Sequence, residues 1–558
     1  MRWFGGCAPG RRTAVPMAAR LVWDDPLLWV VGDWAQGQVR TAEERGAKIA
    51  VIGPCSATAP EITRALASAD LEAAARSWFG SFTVVRADDA GGVEVLADAA
   101  GACPLYRVTT PDGLVWGSSS LALSPLAGGC VDDEWIAAHL REKNAPLTGH
   151  SAWTGVDPVP AGYRMTVSPD GETSLSEWWT PVKRPLEDAL QALRRALSEG
   201  VRTRVEGVPV TSDLAGMDST TVALLAAQHG PVTGVTLHPS GVTEGGDLQY
   251  ARALDVPGLN RTYFPLEARH LPFTAADVPL SATDEPAPST GVWAMLAAQL
   301  RMVAANGSAR HLTGDGGDNL FLPAPTHLPG LARSGHWLRL AADAVDWARL
   351  RKQSPLPLIS QALRRDMNRL GRPARPRPTW LKVPVPDPAP VAGDADTVLV
   401  ASIRNVARAV QADIQLADST GIELHNPYFD AGVLHAVVSA PAAERFSVRR
   451  YKPLLAHAFA DLLPEAHRQR AAKGLFAGDF HRGLRTNLRR VLELADGRLA
   501  AMGIIDPVPL RATVHAAALG AQTVWPPLLS VLAAEMWLEA IENTSATEWT
   551  TAAPAGAR

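Results

Sequence analysis

Between Val208 and Leu237 the chain runs through a strand, a loop of small residues, a helix and a second strand. Val208-Pro209-Val210-Thr211 is a short apolar run, the helical stretch extends from Ser219 to about Gln228, and Val232 to Leu237 is again β-like. Two strands joined through a helix lie parallel, and a parallel sheet needs helices on both faces. This unit therefore commits a large part of the chain to an α/β layer architecture. Just upstream, Leu186, Leu190, Leu193, Leu197, Val201 and Val205 recur every three or four residues, the apolar face of one long helix.

The chain up to about residue 180 has another character. Ser81 to Arg86 and Val93 to Leu96 flank Asp88-Asp89-Ala90-Gly91-Gly92, a hairpin signal. Pro104 to Val108 and Leu114 to Trp116 repeat it around Pro111-Asp112-Gly113. An antiparallel sheet domain follows, with a helix expected from Glu61 to Phe79. The change falls near Trp178-Trp179-Thr180-Pro181, which divides the chain into residues 1–182 and 183–558. At ~150 residues per domain, 558 residues resolve into two large domains, at the low end of the length prior. Arg372 to Val391 is Pro- and Arg-rich and reads as a surface loop with polyproline character. Asp394 to Asn543 is mainly helical in pattern, and the last dozen residues read as a disordered tail.

Composition narrows the function classes. The 53 basic and 57 acidic side chains leave a formal charge of −4, too balanced for a global pull onto nucleic acid or an anionic membrane. No apolar run reaches the ~18 residues of a membrane span, and the N-terminus lacks the apolar core of a signal peptide. Cys7, Cys55, Cys103 and Cys130 form no C-x-x-C pair, as expected of a reduced, cytoplasmic protein.

Two segments carry the chemistry. Ser212-Asp213-Leu214-Ala215-Gly216-Met217-Asp218-Ser219-Thr220 lies between a strand and a helix N-terminus, where free backbone N–H groups and the helix dipole favour an anion. Asp218 at the helix mouth repels a bare phosphate but suits Mg²⁺ carried by phosphates. An ordinary strand-to-helix turn with Asp218 or Ser219 as N-cap is the alternative. His311-Leu312-Thr313-Gly314-Asp315-Gly316-Gly317-Asp318-Asn319 sets three glycines around two aspartates after an apparent strand. Such loops lie at the ligand-binding end of an open α/β sheet; a solvated tight turn is the bland reading.

These residues resemble the asparagine synthetase superfamily. Met217-Asp218-Ser219 is similar to its S-G-G-x-D-S loop, Gly314 to Asp318 to its G-D-G-G-D-E loop, and Gly421-Ile422-Glu423-Leu424-His425-Asn426-Pro427-Tyr428-Phe429-Asp430 to its G-x-E-x-R-x-P-F-L-D segment. Lys452 in Tyr451-Lys452-Pro453 and Lys473 in Arg470-Ala471-Ala472-Lys473 resemble its basic segments. Upstream, Trp78-Phe79-Gly80-Ser81-Phe82, Asp98 to Tyr106, Trp116-Gly117-Ser118 and Val159-Pro160-Ala161-Gly162-Tyr163 resemble landmarks of class II glutamine amidotransferase domains. The chain departs from both patterns. Residue 2 is Arg2 where glutamine-using members expose a nucleophilic Cys, Leu214 stands where the first loop has Ser, and Asn319 replaces a Glu.

The resemblance implies a degenerate N-terminal antiparallel β-sandwich of the amidotransferase type without glutaminase activity, Cys7 being structural. It implies a C-terminal ATP-pyrophosphatase domain with a parallel sheet and many helices. A synthetase without an ammonia source takes its amine from the substrate, as β-lactam synthetases and lasso peptide cyclases do, and the style of the sequence is most like the latter. The implied reaction is ATP-dependent adenylation of an Asp or Glu side chain in a leader-free core peptide, then macrolactam closure by the peptide's own α-amine with release of AMP. Small-molecule closure of the β-lactam-synthetase kind and a non-catalytic peptide-binding scaffold are the alternatives. The implied cofactors are ATP and Mg²⁺. The implied partners are the precursor peptide, with a leader-binding protein and a leader peptidase.

The implied roles follow residue by residue. Asp218 and Asp318 hold Mg²⁺; Ser212, Gly216, Ser219, Thr220 and Gly314 cradle pyrophosphate; Lys452 sits on the departing pyrophosphate; and the backbone near Leu237 meets adenine. Glu423 accepts the ammonium proton or is a structural carboxylate paired with an Arg. Lys473 stabilises developing negative charge, and Asp315 is a second-shell or catalytic group.

Overall fold

The computed structural model describes residues 1–8, 14–143, 147–276, 278–371, 377–384, 393–469 and 477–551. Two six-stranded sheets, antiparallel throughout, form the N-terminal part. In one, Trp3–Cys7 lies between Gly113–Gly117 and Leu27–Val31. In the other, Thr83–Ala87 lies between Val93–Leu96 and Ala47–Ile52. Phe4, Leu28 and Val30 of the first sheet meet Ile52, Val85 and Val95 of the second in the core of a sandwich. Both hairpins read from the turn residues are present.

The expected helix from Glu61 to Phe79 is two helices, Ala59–Ala67 and Leu71–Ser77. Asp70 interrupts the apolar period and caps the second, accepting the Ala73 N–H at 2.8 Å.

The C-terminal part is built on a five-stranded, fully parallel sheet. Its spatial order is Leu259–Leu266, Val232–Pro239, Val210–Asp213, Arg310–Leu312 and Glu423–His425. The order turns back between Val210–Asp213 and Arg310–Leu312, which opens a crevice beyond their carboxyl ends. Helix Leu186–Val205 forms where the spacing places it and buries Leu193, Leu197, Val201 and Val205. Among the described residues no helix is long and apolar enough to cross a membrane.

Two expectations are corrected. Within Arg372 to Val391, the described Trp380 and Leu381 are buried in a core cluster, and Leu381 bridges to Ile505. Bulky apolar side chains override the polyproline reading there. Trp549–Thr551, inside the expected tail, pairs antiparallel with Ala14–Pro16, and the Trp549 ring packs against Trp3 and Trp29.

Glu177 ends the last sandwich strand and Leu186 begins the long helix, yet packing crosses that junction. Trp3, Trp29, Trp135 and Trp153 share one cluster with Leu528, Val531 and Trp537. A hydrogen bond crosses it too: Ser81 Oγ donates at 2.6 Å to the Asp430 carboxylate, which Arg204 holds through contacts of 2.6 and 2.9 Å.

A candidate active site between two aspartate loops

Strands Val210–Asp213 and Arg310–Leu312 are neighbours, so the loops that follow them are neighbours too. Helix Met217–Ala227 starts at Gly216 and carries Asp218, Ser219 and Thr220 in its first turn. The second loop packs directly on that turn. A Cβ on Gly314 would stand 2.7 Å from the Ser219 nitrogen, and one on Gly317 would overlap the Asp218 carboxylate. Glycine is needed at these two positions because any side chain would push the loops apart.

The motif segment Asn426 to Asp430 buttresses both loops from below. Tyr428 Oη donates to the Asp218 carbonyl at 3.0 Å, Phe429 lies against Gly316, and Thr313 Oγ1 donates to Asn426 Oδ1 at 2.6 Å.

Asp218 and Asp318, separated by a hundred residues of sequence, converge on one cation, the ammonium of Lys452. Its Nζ lies 2.5 Å from Asp318 Oδ1 and closer still to Asp218 Oδ2. Lys452 is 1 % exposed and takes a left-handed backbone (φ 43°) at the start of helix Pro453–Ala458. Burial favours the neutral amine, but the charges of Asp218 and then Asp318 outweigh it and raise the pKa. Lys452 was expected on a departing pyrophosphate; the structure places it as the counter-ion of the two aspartates.

The remaining expected residues divide. Gly216 leaves open space at the helix mouth. Ser219 Oγ accepts the Ala215 N–H at 3.1 Å and so shapes the loop. Ser212 and Thr220 are fully buried, and Thr220 Oγ1 has no hydrogen-bond partner among the described residues. Their hydroxyls are thus inside the fold, which differs from the expected cradle. Leu214 is 1 % exposed and turned into the sheet against Gly234, where a Cβ would come within 2.7 Å of its side chain. Leu237 is half-buried on the second strand, and Asp315 is exposed on the second loop. Lys473 lies outside the described residues.

Glu423 is the main correction. Arg2 Nη1 lies 2.7 Å and Arg310 Nε 2.9 Å from its carboxylate, Gln38 donates to it at 3.0 Å, and the His425 ring lies 3.3 Å away. Burial pushes this carboxyl up, but the His425 hydrogen bond and the Arg2 and Arg310 charges hold it down at about 2. A carboxylate that acidic is a weak proton acceptor at neutral pH. The geometry matches the structural alternative, a carboxylate paired with arginine.

A buried carboxyl near the second loop has the opposite character. Asp413, on helix Ala395–Asp418, accepts the Ser289 N–H at 2.9 Å. Burial and, after it, the charge of Asp315 push it up to about 7. A polar chain is also present at the cleft: Thr211 Oγ1, His311 and Asp213 Oδ1 are linked at 2.9 and 3.1 Å, with Gln299 donating to Asp213 at 2.8 Å. The sequence reading missed Asp413. Asp213 and His311 stood inside the two quoted segments, but no spacing connects them.

Among the described residues no group of three or more His, Cys, Asp or Glu side chains could hold a metal. Two converging carboxylates nevertheless suit Mg²⁺ that arrives with phosphate oxygens as its other ligands.

The sequence profile of the family described as Asparagine synthase matches residues 192–539. No curated protein matches the chain. Among solved structures, the glutamine phosphoribosylpyrophosphate amidotransferase of B. subtilis complexed with ADP and GMP aligns at 11 % identity over 41 % of this chain, with a TM-score of 0.22. The match spans 64 % of that enzyme's length. A structure described as the allosteric regulatory enzyme of purine biosynthesis aligns at 8 % identity over 56 % of this chain and 74 % of its own, with a TM-score of 0.21.

Proposed function

Because the chain belongs to the asparagine synthase family, whose members are ATP-dependent carbon–nitrogen ligases, we propose that it is an AMP-forming peptide cyclase of the lasso type. It activates an Asp or Glu side chain of a leader-free core peptide and closes a macrolactam with the peptide's own α-amine. The observation that carries this reading is the convergence of Asp218 and Asp318 on Lys452 at the mouth of a helix in the sheet crevice.

In the first step a substrate carboxylate oxygen attacks the α-phosphorus of ATP and pyrophosphate leaves. The backbone N–H groups at Gly216 and beyond meet phosphate oxygens. Asp218 and Asp318 would hold Mg²⁺ arriving with ATP, and the ion would offset phosphate charge. Lys452, already between these carboxylates, holds the two in place so that the site needs little reorganisation. The backbone near Leu237 receives adenine.

In the second step the α-amine attacks the acyl carbon, the C–O bond to AMP breaks, and the ammonium proton passes to a base. We assign that base to Asp315, which is exposed on the second aspartate loop, whereas Glu423, held near 2 by His425, Arg2 and Arg310, is a poor acceptor.

A substrate-borne amine accords with the thiols. Cys7 is 2 % exposed inside a strand. Burial raises the Cys55 thiol to about 11 and the Cys103 thiol well above its ordinary value. None of these three is a prepared nucleophile.

The test is turnover by purified protein with MgATP and a candidate core peptide. The expected result is one AMP and one pyrophosphate per peptide, the product lighter by one water. AMP without ring closure would point to another acyl acceptor, and no substrate-dependent AMP would leave a non-catalytic scaffold.

A further inference from the structure

Helix Ala395–Asp418 separates the crevice from a second concavity of about 930 Å³ between the sandwich and the parallel-sheet part. None of Asp218, Asp318 or Lys452 lines it. Its wall carries Arg404 and, one turn on, Arg408. Arg404 is rigidly seated. Its Nε donates to the Ala99 carbonyl at 2.9 Å, its guanidinium lies 5.4 Å from the Trp179 ring centroid, and a Cβ on Gly162 would overlap Nη2.

What the fold does not give Arg404 is a counter-ion. Nη2 is buried against Gly162 without a hydrogen-bond partner, Nη1 has none among the described residues, and no carboxylate lies within ion-pairing distance. Asp98 and Glu177 contribute attraction from farther away, and burial nevertheless lowers the guanidinium's pKa. Arg408 is paired on one side with Glu285, while its Nη2 is bare. A mostly buried guanidinium without a counter-ion is costly. Clamping one at the wall of a large concavity makes sense where a ligand supplies the missing oxygens.

The chemistry of the concavity selects the anion. The remaining Nη1 of Arg404 suits a singly charged carboxylate, while Glu177, Asp394 and Asp396 on the same walls disfavour a doubly charged phosphate. Those acids accept N–H groups, and Tyr106, Val159, Pro160 and Trp179 offer apolar contact. The volume admits several peptide residues.

We propose that this groove binds a peptide carboxylate, with Arg404 as its anchor, and, resting on the cyclase reading, that it holds the C-terminal part of the core peptide away from the reacting end. Peptide seated there keeps its acceptor segment free to enter the crevice.

The test uses the full chain without ATP, so that its outcome is independent of adenylation. Calorimetry compares acetyl-Ala-Ala-Phe bearing a free carboxylate with the corresponding C-terminal amide and with benzoate. The acid is expected to bind ~10-fold or more tighter than the amide, the worth of a charge-assisted bond. Arg404→Gln should remove that preference, and Arg404→Lys should restore only part of it. Arg404→Gln should leave the Tm unchanged or raised, since it deletes an unpaired charge, whereas loss of a merely structural arginine would lower it. Equal binding of acid and amide, or a preference that survives Arg404→Gln, overturns the site. Benzoate binding as tightly as the tripeptide acid overturns the peptide as occupant in favour of a small organic acid. If AMP release fails while the acid still binds, the adenylation reading falls and the groove stands.

Discussion

Two buried cations in this molecule are held in opposite ways. Lys452 is enclosed by Asp218 and Asp318, with its charge neutralised twice over. Arg404 is clamped by a carbonyl, an indole and a glycine, with its charge answered by nothing within bonding distance. The first arrangement is a closed circuit that stabilises the loops as well as serving them. The second is an open one, rigid in position and incomplete in chemistry. Partner count separates a cation that builds a site from one that awaits a ligand, and burial alone does not.

Substitution at Lys452 gives the largest contrast. Lys452→Met would leave two carboxylates facing each other without a cation, at a cost of roughly 3–5 kcal/mol in chemical denaturation. A loss below about 1 kcal/mol would show the aspartates to be solvated and would erase the distinction.

Next comes pH. Asp98 accepts the Ala102 N–H at 2.7 Å but is raised to about 7 by burial, and Asp413 also lies near 7. Both stay protonated in the folded chain after the unfolded chain has ionised. Stability therefore falls as pH climbs from about 4 to 7, by roughly 2–4 kcal/mol per group, and levels off above that. Asp98→Asn should flatten its share of that slope; an unchanged slope would mean that Asp98 is paired after all. Glu423 acts with the opposite sign. Its contribution is present above its unfolded pKa of 4.5 and is lost as pH falls through about 2.

Smaller in stability is Asp318→Ala. Its side chain is 47 % exposed and Lys452 keeps Asp218, so unfolding should move by about 1 kcal/mol or less. AMP release should nonetheless disappear, and retained turnover would break the metal assignment. Arg404→Met should do least, within about 1 kcal/mol of the parent in denaturant and in the stabilising direction. A loss of 2 kcal/mol or more would make Arg404 a structural residue and end the comparison.

Much of this was legible locally. The period of Leu186 to Val205 gave the long helix, turn chemistry gave both hairpins, and the glycine–aspartate loops marked the crevice. Strands Arg310–Leu312 and Glu423–His425 are three residues long, too short for any alternation; the first was read only from the loop after it, and the second lay inside a stretch read as mainly helical. What remained hidden is long-range. Glu423 looked like a base until Arg2 and Arg310 stood beside it, and nothing in Tyr451-Lys452-Pro453 announces a left-handed backbone aiming an ammonium at two distant aspartates. Pairing is a property of three-dimensional neighbours, and spacing reports it only within one helix or hairpin.

Asp430 gives the junction between the two parts a practical meaning. Its carboxylate is 1 % exposed and draws Ser81 from the sandwich and Arg204 from the long helix onto one point. The sandwich matters to the rest of the chain, because it walls the very residues that support the two aspartate loops. Scissors placed near residue 182 would cut a sentence in its middle: the severed synthetase half would open a tryptophan-lined wound and lose a keel, and mixing the two pieces should restore what neither holds alone.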